Sequence, residues 1–186
     1  MSTKKTALYI ALSLASIASA SSMAADGKIN FTGKITDTPC TVSIPSQNRD
    51  VPLGNVPSTE LATAASKSAS KQFQIDLLNC SATVKTATIT FGGAVATPTG
   101  AGVADATLFA VNSPEGGAVG STATNVGIEI SDSTGAVLTP NKASSTLTLA
   151  TKTPSQSLYF NARYKSLGSA TTGDANATTD FTIAYQ

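Results

Sequence analysis

The chain has 186 residues, with twelve Lys and Arg against eleven Asp and Glu, two cysteines and no histidine. That length suits one domain with a proper core. A net charge of +1 offers no basic face for nucleic acid and no polybasic membrane patch, and the missing imidazole excludes histidine triads and histidine metal ligands.

The first residues read as a secretion signal. Lys4 and Lys5 form a basic start, and Ala7 to Ala18 is an apolar stretch too short to span a bilayer stably. Small residues at Ser22-Met23-Ala24 place the mature start near Ala25, with Ala18-Ser19-Ala20 as the competing site. Residues 1–24 are therefore expected to be removed. The mature chain then carries ten basic against eleven acidic side chains, and no later apolar run is long enough to insert in a membrane.

Behind the signal, Gly27, Ile29, Phe31, Gly33 and Ile35 alternate with polar residues, as a half-buried strand does. Lys34 to Ser43 is the first strand candidate of the body and contains Cys40. Ser58 to Ala65 is the best helix candidate, with Ser58 as its cap. Gln72 to Asn79 alternates Phe73, Ile75 and Leu77 and runs into Cys80. Thr83 to Phe91 alternates Ala87, Ile89 and Phe91 before Gly92-Gly93. Gly92 to Gly102 and Ser113 to Thr124 read as mobile, exposed loops, with a short strand, Leu108 to Val111, between them. Val126 to Ser131 and Ala136 to Leu138 flank the hairpin loop Asp132-Ser133-Thr134-Gly135. Thr146 to Leu149 is short. Leu158 to Tyr164 sets Leu158, Phe160 and Ala162 on one face, Tyr159 and Arg163 on the other. Thr179 to Gln186 puts Phe181, Ile183 and Tyr185 on one face and closes the sequence, so this strand wants a neighbour that nothing after it supplies. Seven or so short strands with no helical repeat point to an antiparallel, immunoglobulin-like β-sandwich.

Cys40 and Cys80 are an even pair in an exported chain and read as a disulfide. Closing that loop would stabilise the fold by roughly 4 kcal/mol in the chain-entropy view. Two isolated cysteines do not make a tetrahedral metal site. Ser68-Ala69-Ser70-Lys71 matches the Ser-x-x-Lys of penicillin-interacting enzymes, but neither partner motif is present. The acids stand singly and no phosphate-cradling loop is found. No catalytic residue, no metal and no cofactor are expected.

The ends of the chain resemble the fimbrial (pilin) subunits assembled by the chaperone–usher route in Gram-negative bacteria. The stretch from Gly27 through Ile29, Phe31, Gly33 and Pro39 to Cys40 resembles the family's donor segment, first body strand and first cysteine. Gly173, Phe181, Ile183 and the penultimate Tyr185 resemble its C-terminal motif. Leu78-Asn79-Cys80, Val126 to Ile130 and Phe160 to Tyr164 resemble the strands between. The resemblance implies a sandwich that lacks its seventh strand. It also implies three segments: a signal (1–24), a donor extension (25–33) and a pilin domain (34–186).

It implies a mechanism too. A periplasmic chaperone lends a strand to the groove beside Phe181, Ile183 and Tyr185 and grips the carboxylate of Gln186. At an outer-membrane usher, the donor extension of a neighbouring subunit replaces it. Ala25 to Gly33 would reach roughly 30 Å when extended. Ile29 and Phe31 would be the main plugs, each contributing roughly 1.5–3 kcal/mol if fully buried. Gly27 and Gly33 share their face, and Gly27 is the candidate for an underfilled pocket where exchange begins. Arg163 and Tyr164 read as structural. The implied product is an extracellular fimbria for cell adhesion. Size and an Ala/Thr-rich composition favour the major rod subunit. A minor adaptor subunit is the alternative, and a stand-alone secreted immunoglobulin-like binding domain another. In that last case the N-terminal segment is the first strand of its own sandwich.

Overall fold

The structure, a computed structural model, describes residues 29–33, 39–112, 122–150 and 153–186. The chain separates into two units, Met1–Ile35 and Thr36–Gln186. Of the first, the described residues 29–33 carry no regular secondary structure, and Ile29 and Phe31 are 79% and 92% exposed. The signal, Gly27 and the whole segment from Lys34 to Thr38 lie outside the described residues.

Among its described residues the second unit has nine strands and very little helix. The strands are β1 (Thr41–Val42), β2 (Lys71–Leu78), β3 (Thr86–Gly92), β4 (Phe109–Ala110) and β5 (Val126–Asp132). They continue as β6 (Val137–Leu138), β7 (Leu147–Thr148), β8 (Ser155–Ser166) and β9 (Asp180–Tyr185). All named pairs are antiparallel. One sheet runs β1-β2-β8-β5-β4, with β6 also on β5, and the other runs β7-β3-β9.

Period-two patterning explains the burial. Ala87, Ile89 and Phe91 of β3 point into the core while the threonines between them do not. Leu158, Phe160 and Ala162 of β8 are buried as expected, and Tyr159 on the opposite face is 46% exposed. Ile75 and Leu77 of β2 and Ile130 of β5 complete the large sheet's inner face. Four phenylalanines tie the two sheets together. Phe160 of β8 lies 5.4 Å from Phe91 of β3 and 5.6 Å from Phe73 of β2, ring centroid to centroid, and Phe91 lies 6.3 Å from Phe181 of β9. These spacings suit offset and edge-on aromatic contacts.

The disulfide joins Cys40 to Cys80, with Cα atoms 4.1 Å apart. It anchors the residue before β1 beside the end of β2. The hairpin loop after β5 is also present. The Oδ1 of Asp132 accepts from Thr134 N (2.8 Å), Thr134 Oγ1 (2.6 Å) and Ala136 N (2.9 Å), and Gly135 takes φ 89° at no steric cost.

Two expectations need correction. The helix over Ser58 to Ala65 is only a 3-10 turn, Ser58–Leu61, and Pro57 rather than Ser58 occupies the cap position, with no capping hydrogen bond. Instead a four-residue helix, α1 (Ile44–Gln47), forms where Pro45 pre-sets the first turn. Gly92 to Gly102 is not a plain exposed loop. Ala96 is buried, its N–H donates to Leu108 O at 2.9 Å, and Ala110 N donates to Ala94 O at 2.8 Å. Small side chains let this segment pack beside β4. Most of the second loop, Ser113 to Thr124, lies outside the described residues; within its described part Ala123 is buried. Among the described residues no helix is long and apolar enough to cross a membrane.

Candidate functional site

β9 is the strand around which the candidate site forms. On one side it pairs with β3, from Phe91↔Phe181 through Ile89↔Ile183 to Ala87↔Tyr185. Gln186 extends the ladder: its N–H donates to Thr86 O at 2.8 Å, and its carbonyl accepts from Lys85 N and Thr86 N. On its other side β9 has no strand partner among the described residues. Phe181, Ile183 and Tyr185 are half-buried and pack against the main core. Burial pushes the Tyr185 phenol above its ordinary pKa. The strand thus combines an open backbone edge with three large apolar side chains that are only partly covered. Such an edge templates pairing with another strand unless it is blocked.

The segment from Arg49 to Ser58 borders two cavities. One, of about 220 Å³, lies between Arg49–Pro52 and the edge of β2 at Lys71, Gln72 and Phe73. The other, of about 290 Å³, lies between residues 54–58 and 170–176, over Leu61, Val126 and Tyr164. Gly173, with φ 152°, lines this second cavity. Tyr185 and Gln186 line neither cavity. Tyr164 is structural here: its Oη donates to Ala175 O at 2.8 Å and fixes the approach to β9.

The donor candidates Ile29, Phe31 and Gly33 belong to the other unit, and a Cβ at Gly33 would meet nothing within 4 Å. Gly27 lies outside the described residues.

Two polar clusters escaped the sequence reading. On the large sheet Glu129 is buried, yet its Oε1 accepts from Arg163 Nε (2.8 Å), Arg163 Nη2 (2.7 Å) and Lys67 Nζ (3.0 Å). Its Oε2 has no hydrogen bond but faces Lys165 Nζ at 3.2 Å as an ion pair. Lys165 also donates to Asp105 Oδ2 at 2.7 Å. Burial pushes the Asp105 carboxyl up, but the bonds from Lys165 and Thr107 outweigh it and hold its pKa at about 2. Burial likewise raises Glu129, and its three cationic neighbours more than reverse that. The second cluster surrounds Asp76 on β2. The only signal for either was charge on alternate strand positions, which by itself reads as a solvated face.

This geometry can accept a strand. No group of His, Cys, Asp and Glu able to hold a metal stands among the described residues.

Comparison with known proteins bears on the same point. The family profile described as "Fimbrial protein" matches residues 29–186. Long polar fimbria protein A of Salmonella typhimurium is 40% identical over 184 residues, covering 96% of each chain. The type-1 fimbrial protein subunit of Serratia marcescens is 38% identical, covering 98% of this chain and 99% of its own. The probable major fimbrial subunit LpfA of Escherichia coli O157:H7 is 37% identical, covering 87% and 84%. Among solved structures, the P pilus rod subunit PapA superposes with a TM-score of 0.63 at 19% identity, covering 80% of this chain and all of that one. At that identity the likeness speaks for the fold.

Proposed function

The chain belongs to the fimbrial protein family, and from that premise we propose that it is the major rod subunit of a chaperone–usher fimbria, polymerising by donor-strand exchange. The observation that carries this reading is the free edge of β9, with Phe181, Ile183 and Tyr185 half-buried beside it. A neighbouring copy's residues 25–33 fill that edge. Ile29 and Phe31, largely exposed in their own chain, become the plugs, with Gly27 and Gly33 on the same face. Backbone pairing gives affinity, and alternate side chains set the register.

Before assembly a periplasmic chaperone holds the edge and the carboxylate of Gln186, and an outer-membrane usher exchanges it for the next subunit. The product is an extracellular fibre on the cell surface, and the subunit is structural rather than catalytic. Similarity to one relative named as a probable major fimbrial subunit, over 87% of this chain and 84% of that one, supports the rod over a minor adaptor.

The test is deletion of Ala25 to Phe31. The shortened subunit still co-purifies with its chaperone but forms no polymer. Loss of chaperone binding as well would show that the two ends of the chain do not act separately, and the reading would fall.

A further inference from the structure

The Asp76 carboxylate on β2 gathers donors from four residues. Gln74 Nε2 donates to Oδ1 at 2.8 Å and Ser157 Oγ at 2.5 Å. Ser46 Oγ and the Arg49 guanidinium each reach Oδ2 at 3.4 Å. The Asp76 backbone adds two ties: its N–H donates to Ser46 Oγ at 2.9 Å, and its carbonyl accepts from Ser43 N–H at 2.8 Å. Ser43 and Ser46 are themselves bonded, Oγ to Oγ, at 3.0 Å. One strand residue therefore holds α1 at its start, in its middle and two residues past its end.

The chain beyond α1 is what matters. Arg49 to Pro52 is one wall of the 220 Å³ cavity, with Phe73 on the opposite side. Phe73 belongs to the aromatic chain that runs through Phe91 to Phe181 on β9. Of residues 48–56, only Arg49 hydrogen-bonds another described residue. Among the described residues the wall carries no ladder, so the Arg49–Asp76 tie and α1 are the polar anchors that set its distance from β2.

We propose that Asp76 is a positioning residue: through Ser46 and Arg49 it sets where the 49–52 wall stands, and so how firmly an inserted strand is held. This rests on the strand-acceptor reading above. The two sheets keep their ladders when the tie is broken, so the fold persists while the wall shifts outward. The Arg49–Asp76 pair is a quarter to a third exposed, so its loss changes strand release by about fivefold.

The experiment uses the mature subunit purified with its chaperone and a labelled synthetic peptide of residues 25–36. Uptake of the peptide is followed first, then its release into excess unlabelled peptide. Arg49→Met and Asp76→Asn are expected to take up peptide and release it about fivefold faster. Arg49→Lys, which keeps the cation, stays close to the unaltered chain. Release at the unaltered rate by both Arg49→Met and Asp76→Asn overturns the proposal. Arg49 lies outside every strand, so its variants remain informative should Asp76→Asn fold poorly. Absence of uptake by the unaltered subunit overturns the acceptor reading itself, and the positioning role with it.

Discussion

Glu129 shows how a single charged residue is tolerated on a buried sheet face. Burying a carboxylate is costly unless it is paired and hydrogen-bonded. Here Arg163 sits directly opposite on β8, and Lys67 and Lys165 close around it. Removing the anion leaves three cations crowded at one spot. Glu129→Ala is therefore expected to lower stability by about 3 kcal/mol, read as a reduced urea midpoint of the subunit. An unchanged midpoint would mean that solvent already screens the cluster. Nothing about Glu129 alone announces this arrangement: Val-Gly-Ile-Glu-Ile reads simply as a strand with one polar position, and the cations that cover it come from 34 and 62 residues away.

At the scale of the element, strand patterning was the legible part. β2, β3, β8 and β9 fall where alternation places them, because each has one face against the core and one against solvent, and a single period then fixes both conformation and orientation. The two-residue strands β4, β6 and β7 fall inside the short candidates Leu108 to Val111, Ala136 to Leu138 and Thr146 to Leu149, whereas α1 is too short for any period to reveal it. Alternation also missed the burial of Ala96, whose small size hides packing behind a loop-like composition. The half-buried face of β9 was legible from Phe181, Ile183 and Tyr185. The wall opposite Phe73 was not, since Arg49-Asp50-Val51-Pro52 has neither period nor charge pattern. The disulfide belongs to this scale too, because it fastens one strand's start to another's end. Cys80→Ser, or production under reducing conditions, is expected to cut subunit yield, in line with a loss of roughly 4 kcal/mol. Yield equal to the unaltered chain would argue that the strand ladders suffice without it.

For the whole molecule, titration sets a window of stability. Asp105, Glu129 and Asp132 all have folded pKa values below their ordinary ones, Asp105 down to about 2. Their contribution is complete above pH about 4.5 and fades as pH falls toward 2. Hydrogen bonding to Asp105 raises Lys165, and burial raises Tyr164 and Tyr185. These contributions are complete below pH about 10 and fade as pH climbs past it. The thermal midpoint is therefore expected to form a plateau between about pH 5 and 9 and to drop on both sides; a midpoint still rising at pH 4 would contradict the assignment. The assembled fibre offers a second test at this scale: antibody against this subunit should decorate the whole shaft in negative stain, and decoration confined to the tip would reassign it as an adaptor. In such a fibre the Cys40–Cys80 bond acquires a mechanical meaning. Tension drawn from the N-terminal side reaches the first described residues of the body at Pro39, whose carbonyl accepts from Ser81 N, and at Cys40. With the bond intact, the force passes through sulfur to Cys80 and spreads into the eight residues of β2 and their full pairing with β8. Without it, the same pull peels a two-residue β1 from its neighbour, one rung at a time. The reduced fibre should therefore stretch at lower force than the oxidised one.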